Sequence, residues 1–396
     1  MMNFAEFFAG VGLVHEGLSK DGWFCTWAND ISHEKRETYV ANFNNTKFYL
    51  GDIWEIINNS QAVPDDCFLY TASFPCTDTS LAGERKGLAG ESSGSIHALL
   101  NIIENKKNNG NHPYLIMLEN VQGFLTSHSG ADISVTVKKL NELGYVIDLI
   151  ELDAIYFTPQ SRPRVFLFAV RTEVAETIMH IKNKNNLLDS WWAIFEKNPK
   201  LRTEKIKNIV KINSDLNWGA LNIPAPPKRT SNLKDIIEKE ISNEQHCWWT
   251  NERKNSLFSK MSDLHKIKLE KMIANNELSY GTVYRRTRNK TQFAELRTDG
   301  IAGCLRTPKG GSSKQILICA GFGDWSVRLL TPREYARLQG VGDHFILPKN
   351  QNQSYFAMGD AVCVPVIEFI SSHILTPAYC KIMGIPTLKN IVTERQ

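Results

Sequence analysis

The chain has 396 residues, of which 42% are hydrophobic and 22% charged, a composition that excludes a disordered or collagen-like protein. At roughly 100–200 residues per domain, the length predicts two domains. No apolar run approaches the ~18 residues of a membrane span, and the N-terminus lacks a signal-peptide pattern. The eight cysteines form no CxxC pair, so we expect no metal site, no disulfide framework and a cytoplasmic location.

The charge is spread unevenly along the chain. The net charge is +4, but residues 171–326 contain 27 Lys and Arg against 17 Asp and Glu, a net of +10, which leaves −6 for the remainder. A basic segment attached to an acidic body is typical of polyanion binding, including nucleic-acid binding. Charge alone leaves open the alternative of a lysine-rich, solvated surface.

Short apolar strands alternate with helical patterns over residues 1–170. The predicted strands are 4–9, 23–28, 48–50, 67–73, 114–118 and 165–170, with a helix at 13–20. Nearly continuous apolar strands separated by helices predict a doubly wound, mostly parallel α/β sheet. In such sheets, ligands bind at the carboxyl ends of the strands.

The pattern changes at about residue 171. Asn/Lys-rich stretches are followed by a Pro-rich connector at 223–227, helical patterns at 231–241 and 255–276, and a Gly/Arg/Ser-rich stretch at 280–315. Thr331, Pro332 and Glu334 predict a capped helix, and a last helix is predicted to begin near Asp360. We expect domains at 1–170 and 171–326, a connecting helix of the small domain at 327–344 and a return to the first domain at 345–396. The tryptophan pairs at 191–192 and 248–249 are predicted to pack in the core of the small domain.

Polar residues and glycines follow the first three predicted strands. The FAGVG turn at 8–12 allows close backbone approach, but His15 stands where a dinucleotide-binding motif needs its third glycine. Asp30 suits ribose hydroxyls and Asp52 suits an adenine amino group, although Asp after a strand is also common turn chemistry. Together these residues indicate a nucleoside cofactor without pyrophosphate, and S-adenosylmethionine fits that description.

A cysteine follows the fourth strand. Pro75 ends the strand and presents Cys76, which would act as a nucleophile in its thiolate form. Residues 77–95 are polar, with four glycines, and are typical of a mobile lid. The alternative is a small buried cysteine, the common fate of a free thiol.

Further charged residues adjoin the last two strands. Glu119 follows the fifth strand and could act as a general acid, or begin a helix. Period-two geometry predicts that Gln160, Arg162 and Arg164 share one face, where the guanidiniums could bind an anion, a base edge or a surface carboxylate.

In this order, the motifs resemble the DNA (cytosine-5)-methyltransferase family. They are FAGVG at 8–12, Pro75-Cys76, Glu119-Asn120-Val121, 160–164, the helix from Arg333 to Gly340, and 359–362, with a long variable region between the fourth and fifth. The resemblance implies an S-adenosylmethionine-dependent methyltransferase (Rossmann-like) sheet and a smaller target-recognition domain in the basic segment.

The resemblance also implies a mechanism. A flipped-out cytosine is attacked at C6 by Cys76 while Glu119 protonates N3, C5 takes the methyl group, and a base removes the C5 proton. Arg164 would hold the base, supported by Arg162 and Gln160. The implied cofactor-binding residues are Phe8, Gly10, Val11, Gly12, Asp30, Ile31, Asp52, Ile53, Pro75, Asp360 and Val362.

The sequence departs from the family pattern at three positions. Thr77 stands where Gln is usual, Ile31 where an aromatic residue often packs on adenine, and Asp360 where Asn is common. These departures bear on the loop's DNA contacts, on adenine packing and on the local electric field.

The stretch 280–315 combines cations with an aromatic residue, so we expect Arg285, Arg286, Arg306 and Lys314 to contact DNA, with a solvated loop as the alternative. The predicted function is methylation of a specific double-stranded DNA site by a monomeric, cytoplasmic, nucleoid-associated prokaryotic enzyme paired with a restriction endonuclease. The alternatives are a tRNA cytosine-5 methyltransferase, a catalytically silent binding protein and an NAD(P) oxidoreductase.

Overall fold

A computed structural model describes residues 1–57, 59–75, 94–182, 190–239, 247–307 and 314–386. The chain forms two compact units. The first comprises Met1–Leu152, Pro163–Pro226 and Val366–Gln396, and the second comprises Asp153–Arg162 and Pro227–Pro365.

A seven-stranded sheet forms the centre of the first unit, in the order β3-β2-β1-β4-β5-β7-β6. Its strands are β1 Asn3–Phe7, β2 Phe24–Asp30, β3 Lys47–Leu50, β4 Leu69–Ser73, β5 Leu115–Val121, β6 Tyr145–Asp153 and β7 Pro163–Arg171. Strands β1 to β5 pair in parallel, whereas β7 runs antiparallel to β5. The mostly parallel α/β sheet is confirmed, although the sequence patterns did not predict β6.

Helices connect and flank these strands. They are α1 Leu13–Ser19, α2 His33–Asn42, α3 Ile53–Ile57, α4 Ser95–Asn108, α5 Ala131–Glu142, α6 Thr172–Ile178, α7 Ser190–Glu196 and α8 Glu204–Ile212. The Ser32 hydroxyl caps α2 by accepting a hydrogen bond from the Lys35 N–H. A two-stranded sheet of β8 Met179–Ile181 and β9 Gly219–Leu221 follows β7.

Residues 171–226 belong to the first unit, so the boundary lies at Pro226 rather than near 170. Trp191 and Trp218 are buried in the same apolar core as the seven-stranded sheet, and Trp192 packs against that core. Arg202 is buried and forms an ion pair with Asp148 of β6 at 2.5 Å. Shared core packing and a buried ion pair therefore join this segment to the sheet. The tryptophan pair at 191–192 packs in a core as predicted, but in the core of the first unit.

The second unit contains an antiparallel sheet in the order β11-β10-β12-β13. Its strands are β10 Ser279–Arg288, β11 Thr291–Arg297, β12 Ile316–Gly321 and β13 Asp324–Leu329, and its helices are α9 Leu233–Ile236, α10 Asn251–Ser259, α11 Asp263–Ile273, α12 Pro332–Leu338 and α13 Gln351–Asp360. The capping box of Thr331 and Glu334 forms as predicted. Strands β10 and β11 form a hairpin within the predicted Gly/Arg/Ser-rich stretch, and Asn289 and Lys290 turn it with φ of 48° and 64°.

The C-terminal helices differ from the prediction. Asp360 ends α13 instead of beginning a helix, and the next helix, α14 Val364–Ile370, is followed by a π-helix at Ser371–Leu375 and by α15 Thr376–Ile382. The chain returns to the first unit at Val366 rather than at 345. The stretch Gln351–Ile382 is long and apolar enough to cross a membrane, but 61% of its most apolar window is buried inside the protein. Its hydropathy is therefore explained by core packing.

Candidate active site

The turn after β1 has an unusual backbone conformation. Phe8, Gly10 and Gly12 all have positive φ, of 55°, 59° and 88°. This conformation is unfavourable for a non-glycine residue such as Phe8, so the surrounding structure must hold it. Gly12 is the N-cap of α1, and the Val11 side chain is buried.

Asp30 joins this turn to the start of α2. Its carboxylate accepts hydrogen bonds from the backbone N–H groups of Gly10 and Ser32, each at 2.9 Å. Neighbouring Asn29 donates to the carbonyls of Tyr49 and Gly51, at 3.1 and 2.9 Å. The ends of β1, β2 and β3 are therefore held together by side-chain to backbone hydrogen bonds.

The other predicted adenosine-binding residues lie beside these strand ends. Ile31 is 69% exposed, which leaves its aliphatic surface accessible to a ligand. Asp52 accepts a hydrogen bond from the Trp54 N–H at 3.0 Å, whereas the Ile53 side chain is buried in the core. Ile53 can therefore offer a ligand only its backbone.

These residues fit a nucleoside cofactor. Among the residues that the structure describes, a Cβ added to Gly10 would meet no atom within 4 Å, so this side of the turn is open with respect to them. The carboxylates of Asp30 and Asp52 follow the adjacent strands β2 and β3, and each carboxylate oxygen can accept more than one hydrogen bond. Open space beside a turn with bent backbone and two carboxylates suits ribose hydroxyls and an amino-substituted base.

A buried ion pair lies at the same edge of the sheet. Glu119 and Arg164 side chains are 9% and 14% exposed, and Nε of Arg164 lies 3.1 Å from Oε1 of Glu119. Arg164 reaches this edge because β7 runs antiparallel to β5, with Arg164 opposite Val121. Ser73, near the end of β4, is paired with Glu119. The pair therefore stands one strand away from the segment that leads to Cys76.

That segment is fixed where it leaves β4. Asn120 donates through Nδ2 to the Phe74 carbonyl at 3.4 Å and accepts a hydrogen bond from the Val121 N–H at 2.8 Å. Phe74 packs edge to face on Phe124 at 5.3 Å between ring centroids. Pro75 is the last described residue here and is exposed. Cys76, Thr77 and the predicted lid up to residue 93 lie outside the described residues, whereas Gly94 is the N-cap of α4 and Ser95 its first residue.

Gln160 and Arg162 are internal to the second unit. Gln160 has no exposed surface and donates to the Leu338 carbonyl at 3.0 Å. Arg162 is 1% exposed and donates to the carbonyls of Leu305, Gly359 and Ala361. This burial argues against the predicted contact of Gln160 with DNA and against a direct catalytic role of Arg162, because both side chains hold the protein backbone instead.

Arg162 also bears on the last predicted cofactor motif. The carbonyl of Ala361, which Arg162 binds, lies between Asp360 and Val362, and the Val362 side chain is buried. Gly359 packs against the backbone of Arg306, where an added Cβ would lie 2.6 Å from the carbonyl carbon. The 359–362 segment is therefore held tightly within the second unit.

The predicted DNA-contacting arginines lie on opposite faces of β10. Arg285 is paired with Ala294 on the face of the sheet that carries the core, and burial, with the charge of Arg253, lowers the pKa of its guanidinium. Arg286 is exposed on the other face, with its guanidinium 5.8 Å from the Tyr284 ring centroid. Arg285 and Arg286 therefore cannot contact the same DNA surface in the same way.

Two more predicted DNA-contacting residues pack on aromatic rings. The Arg306 guanidinium lies 5.2 Å from the centroid of the Tyr284 ring, so Tyr284 has a cation close to it from each of two segments. Lys314 lies 4.2 Å from the Tyr355 ring centroid and donates to Asn352 at 2.8 Å. Trp249 packs against the core of the second unit, as predicted, with Arg253 stacked 3.7 Å from its ring centroid.

A buried polar cluster that the sequence patterns did not indicate lies next to the Phe8–Gly12 turn. Glu6, His15 and Tyr39 are all at most 9% exposed, and the Tyr39 hydroxyl donates to Glu6 at 3.0 Å. Burial raises the pKa of Glu6 to about 8 and lowers the pKa of His15 to about 4. One signal was available, since Glu6 interrupts the otherwise apolar β1.

The comparisons with known proteins agree on one family. The model of the C-5 cytosine-specific DNA methylase family matches residues 2–376. Type II methyltransferase M.Bsp6I of Bacillus sp. (strain RFL6) is 29% identical over 380 residues, which cover 94% of this chain and 98% of that protein. Type II methyltransferase M.HhaI of Haemophilus parahaemolyticus is 24% identical over 378 residues, 94% of each chain.

The solved structure of S. pombe Dnmt2 methyltransferase has a TM-score of 0.60 at 17% identity, covering 95% of this chain and 99% of that one, a likeness of fold. The resemblance inferred from the motifs is therefore confirmed. Because the match to the family model spans nearly the whole chain, the protein belongs to the C-5 cytosine-specific DNA methylase family, methyltransferases that use S-adenosylmethionine.

Proposed function

We propose that the protein methylates C5 of a flipped-out cytosine in a specific double-stranded DNA sequence through a covalent bond between Cys76 and C6. The observation that carries this proposal is the Glu119–Arg164 pair at 3.1 Å, which lies one strand away from the segment leading to Cys76. A carboxyl group next to a fixed guanidinium can bind both the ring nitrogen and the carbonyl oxygen of a cytosine.

Each residue then has a distinct role. The Cys76 thiolate adds to C6 while Glu119 gives a proton to N3, which makes C5 nucleophilic. S-adenosylmethionine supplies a methyl group on a sulfonium sulfur, and the 8–12 turn, Asp30 and Asp52 would bind it. Loss of the C5 proton to a base then restores the C5–C6 double bond and releases the thiolate, and N3 returns its proton to Glu119. Arg164 holds the ring and balances negative charge on it.

The second unit would recognise the target DNA. It contains 23 Lys and Arg against 15 Asp and Glu, a net of +8. Its hairpin carries Tyr284, Arg286 and Arg288 on one face and Arg285 on the other. We assign base contacts to the exposed face, because a guanidinium on that face is free of the core and can form paired hydrogen bonds with a guanine edge.

The names of the type II relatives support a place in a restriction-modification system. We further propose a cognate endonuclease as functional partner and a cytoplasmic, nucleoid-associated monomer as the working form. The test is duplex DNA containing 5-fluorocytosine, since fluorine blocks the last elimination and traps the adduct. Cys76→Ser should abolish the adduct, and Cys380→Ser, at a partly exposed cysteine, should not. An adduct with tRNA but not with duplex DNA would support the tRNA alternative, and an adduct with Cys76→Ser would refute the nucleophile. Bisulfite sequencing of DNA from expressing cells would give the recognition sequence.

A further inference from the structure

The buried cluster behind the cofactor turn is built around one hydroxyl. The Tyr39 Oη lies 3.0 Å from Oε2 of Glu6, 3.0 Å from Nδ1 of His15 and 3.5 Å from Sγ of Cys25. These residues come from β1, α1, β2 and α2, the four elements that surround the 8–12 turn and Asp30. A single side chain thus joins all four elements in the interior.

The same side chains could be considered as a metal site, because one ligand atom from each of Glu6, His15 and Cys25 lies within 4.8 Å of the others. The Tyr39 hydroxyl, however, lies within 3.5 Å of all three. A hydroxyl can donate one hydrogen bond and accept others, so it can be a hydrogen-bond partner of each of these side chains without an ion. The geometry therefore favours a hydrogen-bond network.

The network is in direct contact with the turn. A Cβ at Gly12 would lie 2.9 Å from Cε2 of Tyr39 and 2.5 Å from Cε2 of Phe43. The His15 ring stacks on Phe43, with centroids 4.0 Å apart and an interplanar angle of 22°. Tyr39 of α2 and its C-cap residue Phe43 therefore pack against the turn at Gly12, while Asp30 accepts a hydrogen bond from the Gly10 N–H.

We propose that Tyr39 is a positioning residue for the cofactor site. Its hydroxyl holds β1, α1 and α2 together, so that the 8–12 turn keeps its bent backbone before the cofactor binds. Preorganisation of this kind raises affinity, because the cost of ordering the turn is met during folding. The inference rests on the proposed placement of S-adenosylmethionine at this turn.

Tyr39→Phe is the test, since it removes the hydroxyl and keeps the ring against Gly12. Its matched control is Tyr145→Phe, which removes a buried hydroxyl that donates to the Pro113 carbonyl at 2.8 Å elsewhere in the first unit. By calorimetry, Tyr39→Phe should weaken S-adenosylmethionine binding about five- to tenfold, as expected for the loss of a buried hydrogen bond. Hydrogen exchange should be faster at the Gly10 and Gly12 amides, and KM for the cofactor should rise with little change in kcat.

Asp30→Ala tests the cofactor site separately from the positioning role of Tyr39. If Asp30→Ala weakens binding and Tyr39→Phe matches Tyr145→Phe in affinity and exchange, the positioning role is refuted and the cofactor site stands. If Asp30→Ala binds as the unmodified protein does, the site itself is refuted, and the inference with it. Should Tyr39→Phe fail to fold, His15→Leu, which removes one hydrogen-bond partner of the same hydroxyl, gives the same comparison.

Discussion

Two glycines of the same turn are expected to respond differently to replacement by alanine, Gly12 mainly in stability and Gly10 mainly in cofactor affinity. Gly12 has φ +88°, and a methyl group there would lie 2.5 Å from Phe43 and 2.9 Å from Tyr39. Gly10 has φ +59°, and a methyl group there would meet no atom of the described part of the chain within 4 Å. Both variants must adopt a left-handed backbone, but only one of them also creates a steric clash.

The magnitudes follow from these two terms. The left-handed conformation costs a non-glycine residue about 1–2 kcal/mol, and an extra methyl group in a packed site costs about 1–3 kcal/mol. Gly12→Ala should therefore lower the free energy of unfolding by about 2–5 kcal/mol, and Gly10→Ala by about 1–2 kcal/mol. The Gly10→Ala methyl group enters the space assigned to the cofactor, so this variant should lose more affinity than stability.

Urea unfolding monitored by circular dichroism gives the first quantity, and calorimetric titration with S-adenosylmethionine gives the second. The expected pattern is a strongly destabilised Gly12→Ala and a less destabilised Gly10→Ala that binds the cofactor poorly. Equal destabilisation of the two variants would show that contact with Phe43 and Tyr39 does not restrict which side chain position 12 can carry. Undiminished binding by Gly10→Ala would show that the open space is not the cofactor site.

Three other outcomes are expected. Because the raised pKa of Glu6 favours its protonated form in the folded state, the stability linked to this group is full below pH 4.5 and is lost as the pH rises through about 8. Above pH 6.5, where His15 no longer contributes, Glu6→Gln should make the free energy of unfolding less dependent on pH. An unchanged slope of unfolding free energy against pH would contradict this. Arg202→Ala removes the ion-pair partner of the buried Asp148 and should lower the free energy of unfolding by about 3–5 kcal/mol. Arg297→Ala, which breaks a pair with an exposed partner, should lower it by at most about 1 kcal/mol. Similar losses in urea unfolding would refute the assignment of Arg202 to the core. Arg286→Ala should lose roughly 1–3 kcal/mol of DNA-binding free energy at the cognate site only, while Arg285→Ala should keep the site preference. Relaxed specificity in Arg285→Ala alone would place the base contacts on the other face of the hairpin.

Much of the candidate site could be predicted because strand ends are local features. Asp30, Pro75 and Glu119 each follow or end an apolar run, and such runs indicate where a strand emerges from a sheet. The alternation of strands and helices was then sufficient to predict a parallel sheet and to place these residues at its carboxyl edge. The order of the motifs was sufficient for the family.

Other features depended on contacts between distant parts of the chain. The partner of Glu119 is Arg164 because β7 runs antiparallel to β5, and no local pattern specifies that direction. Gln160 and Arg162 have the same alternation as Arg164, yet both are buried against backbone of the second unit.

The same division explains the domain boundary and the recognition surface. Composition changes at 171, but Trp191 and Trp218 join the core of the sheet, since packing depends on which apolar surfaces meet and not on where the composition changes. Adjacent Arg285 and Arg286 are alike in sequence and point to opposite faces once β10 pairs with β11. The sequence by itself determined which chemical groups the site contains and in which order they follow one another, because local patterns carry this information. The tertiary structure decided which residues meet, because strand register and shared burial act across the whole chain.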